Sequence, residues 1–455
     1  MNNLTENGRL RLRWEKSKDG QLRILLNNFL ILNTTAFEVL QTYKEGGVST
    51  TLDYFQEKYP FIPAAKLQED IQRIITQFRE WNILVEQPNE PLPLAPSFME
   101  EIESMFENQL SAPLHVACIL TYSCNAQCPH CFAPLHKGSP ELVTEDWKKT
   151  IDQLAEMNIF TVTFTGGEPL LRTDLEDLVE YASQKGVTPG IDTNGYFLTK
   201  DKIETLVSAG ALGFEISLDG SCSHIHDTFR GLPGSFKRVI EAISFIMDEQ
   251  VDVGILTVVT THNVDDILHI IDLLDDMGVR RHTLIRLRNV NGTESLEPDP
   301  EEYIELLKSV FQKQCDLHRQ VIYPDLPALY YCTSIGHKSY EELKKTGCIR
   351  PCEAGIIKCA INPSGNVLPC NMSSVSVGNI RETPLKEIWR ESPLLKQLRR
   401  TKLKQKYPCS ECTLNTTCTA GCKALPSQMK DNCIMPDAVC FPCFDYQKKH
   451  GEHHV

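Results

Sequence analysis

The stretch Cys124-Asn125-Ala126-Gln127-Cys128-Pro129-His130-Cys131 decides how the rest of the chain is interpreted. It places three cysteines in a C-x-x-x-C-x-x-C spacing, directly after an apolar run over residues 114–121. Three thiolates within eight residues can bind three irons of a cubane [4Fe-4S] cluster and leave the fourth iron open to a small chelating molecule. The alternatives are a zinc site that lacks one ligand and a set of inert thiols. The position after a predicted strand disfavours both.

Short β-branched runs alternate with amphipathic helices from residue 114 onward. One helix is predicted over residues 145–157, with Thr144 as its N-cap and acidic residues in its first turn. Serial βα units form a parallel sheet that binds ligands at the carboxyl ends of its strands. Six units predict an α/β fold, either a doubly wound sheet or an incomplete barrel. The predicted strands occupy residues 114–121, 160–165, 187–192, 213–218, 251–259 and 283–287.

The segment Gly166-Gly167-Glu168-Pro169 follows the second predicted strand. Its glycines allow backbone carbonyls to approach a ligand ammonium closely, and Glu168 is available as an acceptor. Together with the cysteine loop one strand earlier, this segment resembles the radical S-adenosylmethionine superfamily. The resemblance implies a partial (β/α)6 TIM-type barrel and an S-adenosylmethionine bound to the open iron. It identifies the ligands of this cluster as Cys124, Cys128 and Cys131.

The resemblance also implies where S-adenosylmethionine is contacted. Segments after the third and fourth strands, residues 192–195 and 217–220, contact the ribose and the methionyl carboxylate in relatives. Arg230 and Arg238 are candidate partners of that carboxylate, with solvated surface charges as an equal alternative. His130 either ligates metal or stacks beside the nucleoside. The implied cofactor-binding residues are Gly166, Gly167, Glu168, Pro169, Asn194, Ser217, Asp219, Arg230 and His130.

The remaining cysteines concentrate near the end of the chain. None of the 18 cysteines precedes Cys118, and eleven of them lie at or after Cys348. In a reducing cytosol, clustered thiolates indicate metal binding more than a disulfide framework. The spacing from Cys352 to Cys440 resembles the seven-cysteine pattern of SPASM domains, which hold auxiliary [4Fe-4S] clusters. A zinc ribbon is the alternative.

The SPASM resemblance implies two auxiliary clusters, and therefore three [4Fe-4S] clusters in all. Cys348 stands four residues before Cys352. Either it is the fourth ligand of the cluster that Cys352 helps to bind, or one iron of that cluster is open for a substrate thiolate. The implied ligands are Cys409, Cys412, Cys418 and Cys440 for one cluster and Cys352, Cys370 and Cys422 for the other.

Regular structure is sparse in this tail, so metal clusters would have to stabilise it. A hairpin is predicted over residues 356–362 and 367–369, and a helix over residues 384–400. Cys118 and Cys359 fall in predicted strands and are interpreted as small buried thiols.

Residues 1–92 are interpreted as a separate unit that resembles a winged helix. Residues 1–90 hold 11 Lys and Arg against 12 Asp and Glu, so the basic surface of a DNA-binding domain is missing. Ahead of a barrel and a SPASM domain, such a unit resembles the PqqD-like recognition elements of peptide-modifying enzymes. The resemblance implies that an extended leader peptide adds to its open strand edge. Its predicted elements are strands over 10–14, 21–27 and 83–86 and helices from Thr35, from Thr50 and over 64–81.

The composition of the chain argues against two classes of partner. Its 455 residues carry 46 Lys plus Arg against 60 Asp plus Glu, a net charge of -14, which disfavours nucleic acid and anionic lipid surfaces. No stretch approaches the roughly 18 apolar residues of a membrane span, so a cytoplasmic protein is expected. The expected domains are recognition (1–92), linker (93–112), barrel (113–325) and auxiliary iron–sulfur (340–446).

The resemblance implies a maturase of a ribosomally made peptide (RiPP). A 5'-deoxyadenosyl radical would take a hydrogen from the peptide, leading first to a Cys-to-carbon thioether or, second, to a carbon–carbon crosslink. The implied partners are a precursor peptide bound through its leader and an external electron donor such as a flavodoxin or ferredoxin. A sulfatase-maturing, formylglycine-forming enzyme is less favoured, because Asn371 follows Cys370 where such relatives have aspartate. A cluster-sensing regulator that binds DNA is disfavoured by the neutral charge of residues 1–90.

Overall fold

The fold is given by a computed structural model of the chain. It describes residues 12–18, 22–26, 31–80, 102, 105–106, 109–131, 140–287, 294–314, 317, 321–325, 352–400, 407, 409–411, 422, 429–430 and 433–434. The chain forms two compact units, Met1–Ser111 and Ala112–Val455. Among the helices of the described residues, none has both the length and the apolar character needed to cross a membrane.

The unit Met1–Ser111 combines a small antiparallel sheet with two helices. The two helical stretches predicted from Thr35 and from Thr50 are present as one run over residues 34–58 with a kink between them. The kink lies at Gly46 and Gly47, where the backbone is not helical and Gly47 has φ +71. The Asn33 side chain caps its start by accepting the Ala36 N–H at 2.8 Å. In sheet order the strands are β1 (Leu12–Lys16), β2 (Leu22–Leu26) and β3 (Ile31–Leu32), and the helices are α1 (Thr34–Lys58) and α2 (Ala64–Glu80).

One apolar face of α2 forms the core of this unit. Leu67, Ile71 and Ile75 recur at a spacing of four residues and pack in one cluster with Phe55 of α1. The strand predicted over residues 83–86 lies outside the described residues. The winged-helix assignment therefore stays a prediction.

The unit Ala112–Val455 is built on one ten-stranded sheet. Eight neighbouring strands are parallel, and two antiparallel strands follow at one edge. All six strands predicted from residue 114 onward are found within two residues of their predicted ends. In sheet order the strands are β10 (Val321–Asp325), β9 (Arg281–Arg286), β8 (Asp252–Val259), β7 (Gly213–Ser217), β6 (Thr188–Thr193), β5 (Thr161–Gly166), β4 (His115–Thr121), β11 (Lys358–Ile361), β12 (Asn366–Leu368) and β13 (Gly378–Asn379). A separate short hairpin joins β14 (Met429–Lys430) and β15 (Cys433–Ile434).

Helices cover the outer face of the parallel strands and bury alternate strand residues. On β4 these are Val116, Cys118 and Leu120, which are inaccessible and pack in the same core as Trp147. The βα order and the parallel sheet are consistent with the expected partial barrel. The helices are α3 (Thr144–Glu156), α4 (Leu175–Gln184), α5 (Lys200–Ser208), α6 (Ser223–Arg230), α7 (Ser235–Asp248), α8 (Ile267–Asp276), α9 (Pro300–Gln314), α10 (Leu385–Glu391) and α11 (Pro393–Arg400), with 3-10 turns at Pro169–Leu171, Val264–Asp266 and Glu294–Leu296.

Two predicted details of the helices are wrong. Thr144 is the first residue of α3 and not its N-cap, because its hydroxyl bonds instead to Asp174 Oδ2 at 2.6 Å. The helix predicted over residues 384–400 is two helices. Ser392 precedes Pro393 and has φ -54 and ψ 123, since a residue before proline disfavours the helical conformation.

The cysteine-rich tail shares its sheet with the βα array. Strand β11 pairs in parallel with β4, which places Lys358 opposite His115 and Ile361 opposite Cys118. The predicted hairpin is present: β12 returns antiparallel to β11 through a turn at Gly365, whose φ is +85. Backbone hydrogen bonds therefore join the predicted barrel and auxiliary regions directly.

Candidate functional site

The cysteine loop begins where β4 ends, and the next strand of the sheet holds it by backbone contacts. Gly167 N–H donates to Thr121 O at 2.8 Å, and Glu168 N–H donates to Ser123 O at 2.9 Å. A Cβ atom on Gly166 would lie 2.4 Å from Thr121 O, and one on Gly167 would lie 2.3 Å from Ser123 O. These glycines therefore permit a close approach of the cysteine loop itself, whereas the sequence predicted a close approach of a ligand.

Glu168 joins this strand end to the next one. Its buried carboxylate accepts the Thr193 hydroxyl at 2.7 Å and the N–H groups of Asn194 at 2.8 Å and Leu170 at 3.1 Å. Burial raises the pKa of Glu168 to about 7, although these three hydrogen bonds oppose the shift. The carboxylate therefore organises the loops at the carboxyl ends of β5 and β6.

Asn194 continues the connection to the cysteine loop. Its Nδ2 donates to Asn125 Oδ1 at 2.7 Å and lies 3.9 Å from Cys124 Sγ. The predicted residue is thus beside the first cysteine. Ser217 lies at the end of β7 and is partly exposed.

A buried ion pair between Asp219 and Arg230 lies on the other side of the loop. Arg230 Nη2 is 2.5 Å from Asp219 Oδ2, and Arg230 Nη1 is 3.7 Å from Cys128 Sγ. The Arg230 carbonyl also accepts the Gln127 N–H at 2.9 Å. Burial disfavours both charges, but Asp219 and Cys128 raise the pKa of Arg230, and Arg230 holds the pKa of Asp219 below its usual value. In this structure the carboxylate partner of Arg230 is a residue of the chain itself.

Arg238, the other candidate for a carboxylate partner, lies elsewhere. It is exposed in the first turn of α7, so the alternative of a solvated surface charge fits it better. Arg230, by contrast, is 7% exposed. The end of α6 buries one arginine, while the start of α7 leaves the other in solvent.

His130 takes part in a stack of three rings. Its ring lies parallel to Phe229 at 4.8 Å, and Phe229 stacks on His262 at 5.2 Å. Burial lowers the pKa of His130 to about 4, so the imidazole is neutral near pH 7. No local sequence pattern links Phe229 and His262 to the cysteine loop, so their place in this stack could not be predicted.

The donor set and its surroundings fit a [4Fe-4S] cluster with a small bound ligand. Asn125 Nδ2, His130 Nδ1 and Arg230 Nε are buried and have no hydrogen-bond partner within the described part of the chain. In the same residues, no three His, Cys, Asp or Glu side chains converge on one point as a single metal ion requires. Thiolates of a cubane each bind a different iron, so they need no such convergence.

Three of the described tail cysteines, Cys352, Cys370 and Cys422, lie near one another beside the β11–β12 hairpin. Burial and the neighbouring Cys422 raise the pKa of Cys370, while Lys358 opposes the shift. Burial disfavours the charge of Lys358, but its ion-pair partner Glu353 at 3.3 Å and the nearby Cys370 and Cys352 together raise its pKa. The structure thus brings together Cys352, Cys370 and Cys422, the set predicted for one cluster. Cys409 is buried, and the predicted ligands outside the described residues are Cys348, Cys412, Cys418 and Cys440.

Two other thiols are buried in the core, as predicted. Cys118 and Cys359 are 0% and 1% exposed and pack among apolar side chains of the sheet. Burial raises the pKa of Cys359 to about 12 and raises that of Cys118 even further. Both thiols stay protonated and behave as small apolar groups.

Two protein families match this chain. The Radical SAM superfamily matches residues 118–274, and the SPASM iron–sulfur cluster-binding domain matches residues 352–413. An AdoMet-dependent heme synthase from Methanosarcina barkeri is 30% identical over 328 residues, which are 69% of this chain and 92% of the relative. Mycofactocin maturase MftC from Mycobacterium ulcerans is 30% identical over 70% of this chain and 85% of its own. PqqA peptide cyclase from Rhodopseudomonas palustris is 27% identical over 72% and 86%.

Solved structures share the fold at lower identity. Streptococcus suis SuiB bound to precursor peptide SuiA superposes with a TM-score of 0.66, covering 97% of this chain and 100% of SuiB at 18% identity. The AdoMet-bound anSMEcpe structure has a TM-score of 0.58 and covers 74% of this chain and 98% of that chain at 20% identity. At these identities the likeness supports the fold alone.

Proposed function

The chain belongs to the radical S-adenosylmethionine superfamily, and on that premise we propose that it matures a ribosomally made precursor peptide. The observation that best supports this proposal is the parallel pairing of β11 with β4. The strand that leads into Cys124, Cys128 and Cys131 is thereby bonded to the hairpin that leads into Cys370. A radical-generating centre and an auxiliary cluster beside one sheet suit a reaction that removes both a hydrogen atom and an electron from one substrate.

The proposed cluster ligands are Cys124, Cys128 and Cys131, with Arg230 compensating part of their negative charge. When bound, the cluster and S-adenosylmethionine supply a 5'-deoxyadenosyl radical. The chain fixes the loop through Gly167 and Glu168. The further proposed contacts to S-adenosylmethionine are Gly166, Pro169, Asn194, Ser217, Asp219 and His130.

A Cys-to-carbon thioether is the leading proposed product, and a carbon–carbon crosslink is the alternative. A substrate thiolate at the cluster of Cys352, Cys370 and Cys422 would be held where it can trap the substrate radical. The ligands proposed for the other auxiliary cluster are Cys409, Cys412, Cys418 and Cys440. In the cluster of Cys352, Cys370 and Cys422, either Cys348 is the fourth ligand or the substrate thiolate takes that position. Formylglycine formation is less favoured because Asn371 replaces the expected aspartate.

The proposed partners are the leader of the precursor peptide and a small electron donor such as a flavodoxin or ferredoxin. The three-stranded sheet of Met1–Ser111 supports leader binding, because an edge strand presents unpaired backbone groups to an extended peptide. SuiB, which shares the fold, was solved with its precursor peptide, and MftC is named as a maturase. The net charge of -14 disfavours nucleic acid as a partner.

A heme synthase is the second candidate function. Three AdoMet-dependent heme synthases are 29–30% identical to this chain, as similar as the peptide maturases. The two candidates differ in the substrate that couples to radical formation. Anaerobic assays with reductant and S-adenosylmethionine should compare two kinds of substrate. One is a set of synthetic peptides with the sequences encoded by short reading frames beside the gene, and the other is a porphyrin precursor of heme. Consumption of a peptide supports the maturase, whereas consumption of the porphyrin alone assigns the chain to the second candidate.

A further inference from the structure

The inner face of the parallel sheet, opposite the helices, is polar. Along β5, β6, β7 and β9, residues buried under the helices alternate with partly exposed residues on the other face. This alternation indicates that the inner face borders a water-accessible space. Five charged side chains of the described strand residues lie on this face: Asp192 of β6, Glu215 of β7, Asp252 of β8, Arg281 of β9 and Lys358 of β11.

Glu215 and Arg281 form an ion pair across the strand that separates them. Gly254 of that strand makes room for the pair: a Cβ atom there would lie 2.5 Å from Glu215 Oε2 and 2.8 Å from Arg281 Cζ. Arg281 also pairs with Asp252 at 2.7 Å. Glu215 is therefore held as a charged carboxylate on the inner face.

Asp192 lies directly opposite Glu215 in the register of β6 and β7. It accepts a hydrogen bond from Thr165 and forms no ion pair with any residue that the structure describes. Arg281 lies three strands away on one side and Lys358 three strands away on the other, yet the charges of both lie near enough to lower the pKa of Asp192. The sheet therefore curls so that these side chains face a common space.

The surroundings of Asp192 make it a poised base. Burial and the adjacent charge of Glu215 raise its pKa to about 8, while Arg281, Thr165 and Lys358 oppose the shift. Of the two neighbouring carboxylates, Glu215 is paired with Arg281, whereas Asp192 forms no ion pair within the described residues and remains able to exchange a proton near neutral pH.

We propose that Asp192 is the proton acceptor in the oxidation of the peptide substrate, an assignment that rests on the proposed maturase function. Asp192 lies on β6 two residues before Asn194, whose side chain donates to Asn125 of the cysteine loop. In thioether formation, the 5'-deoxyadenosyl radical takes one hydrogen atom from a peptide carbon. The S–H bond of the substrate cysteine would break as its sulfur reaches the auxiliary cluster as a thiolate, with the proton going to Asp192. The C–S bond would then form, and the remaining electron would pass to that cluster.

Asp192→Asn tests this assignment, because asparagine keeps the size of the side chain but cannot accept the proton. With the peptide that the wild-type protein converts, crosslinked product should fall at least about 100-fold. In protein without S-adenosylmethionine, the infrared band of a protonated carboxyl group that titrates at about pH 8 should be missing from this variant. Product formed at the wild-type rate would overturn the assignment.

Glu215→Gln keeps the inference testable if the first variant does not fold. It removes the negative charge beside Asp192, and Arg281 retains Asp252 as a partner. The rise of product formation with pH should then shift to lower pH, while Asp252→Asn should leave it in place. An unshifted profile in Glu215→Gln would overturn the assignment. Failure of the wild-type protein to convert any peptide would instead overturn the proposed function.

Discussion

Arg230 Nη1 lies 3.7 Å from Cys128 Sγ, although 102 residues separate the two in the chain. The same arginine pairs with Asp219 and is almost fully buried. A buried cation of this kind favours thiolates over thiols at the cysteine loop. The end of α6 thus contributes directly to the electrostatics of the site that β4 leads into.

Replacing Arg230 by Gln should destabilise the protein by about 3–5 kcal/mol, because the buried carboxylate of Asp219 loses its cation. Iron content should fall by about four atoms as the cysteine loop loses its cluster. Anaerobic denaturation and iron analysis measure both effects. Arg238→Gln is the matched control, since it changes an exposed arginine at the start of α7 and should stay within about 0.5 kcal/mol of wild type. Equal losses in the two variants would contradict the role given to Arg230.

Gly167→Ala should impair cluster binding and the cleavage of S-adenosylmethionine. The new Cβ would lie 2.3 Å from Ser123 O, so the cysteine loop must move. Gly190→Ala on the neighbouring strand is the control, because its nearest contact would be an ordinary 3.7 Å. The rate of 5'-deoxyadenosine formation without peptide should fall by more than about tenfold only in the first variant, a cost of at least about 1.4 kcal/mol in the barrier. Normal cleavage in Gly167→Ala would show that the loop tolerates this displacement.

Acid should destabilise the protein through its buried histidines. Burial lowers the pKa of His282 to about 3, below its unfolded value of 6.5. The unfolded chain therefore binds more protons between these values, and the stability from this residue is complete above pH 6.5 and lost as pH falls toward 3. His282→Gln should flatten the decline by up to about 1.4 kcal/mol per pH unit. Denaturation across this range measures the slope, which the exposed control His224→Gln should not change.

Two buried cysteines in the tail should differ in their effect on iron. Cys370→Ala should remove about four irons, because this thiol lies among the proposed ligands Cys352 and Cys422. Cys359→Ala, on the adjacent strand of the same hairpin, should keep all of its iron, since that thiol packs in the apolar core. Iron and sulfide analysis of anaerobically reconstituted protein provides the comparison. Iron loss from Cys359→Ala instead would require a different ligand assignment.

Deletion of residues 1–92 should separate recognition from radical chemistry. The chain forms one unit over Met1–Ser111 and another over Ala112–Val455, each with its own core. Precursor binding and turnover should weaken, while 5'-deoxyadenosine formation without peptide stays nearly intact. Fluorescence anisotropy of a labelled leader peptide measures the binding. Equal loss of both activities in a folded truncation would assign residues 1–92 a structural role.

The features that could be predicted from sequence are those encoded locally. Strands such as β5 and β6 appear as β-branched or apolar runs between helices, and the spacing of Cys124 to Cys131 indicates its chemistry within eight residues. Likewise, the turn at Gly365 was predictable, because its Pro-Ser-Gly sequence favours a reversal of the chain.

The features that could not be predicted depend on contacts between distant segments. Nothing near Arg230 indicates that Asp219 is its partner, and Phe229 stacks on His130 only after the strands assemble. Glu168 was expected to face a ligand, but it bonds to the backbone of the following loop. The parallel addition of β11 to β4 likewise follows from assembly of the sheet, which local periodicity does not specify.

The most direct test of the central claim is mass spectrometry of a precursor peptide after anaerobic incubation with the protein, reductant and S-adenosylmethionine. The peptide should lose a pair of hydrogens for each crosslink, and its cysteine should no longer react with iodoacetamide. Omission of S-adenosylmethionine, or replacement of Cys124, Cys128 and Cys131 together by Ala, should abolish the change. Loss of hydrogens with every thiol still reactive would replace the thioether by a carbon–carbon crosslink. A peptide of unchanged mass, while a porphyrin precursor of heme is consumed, would contradict the peptide maturase account.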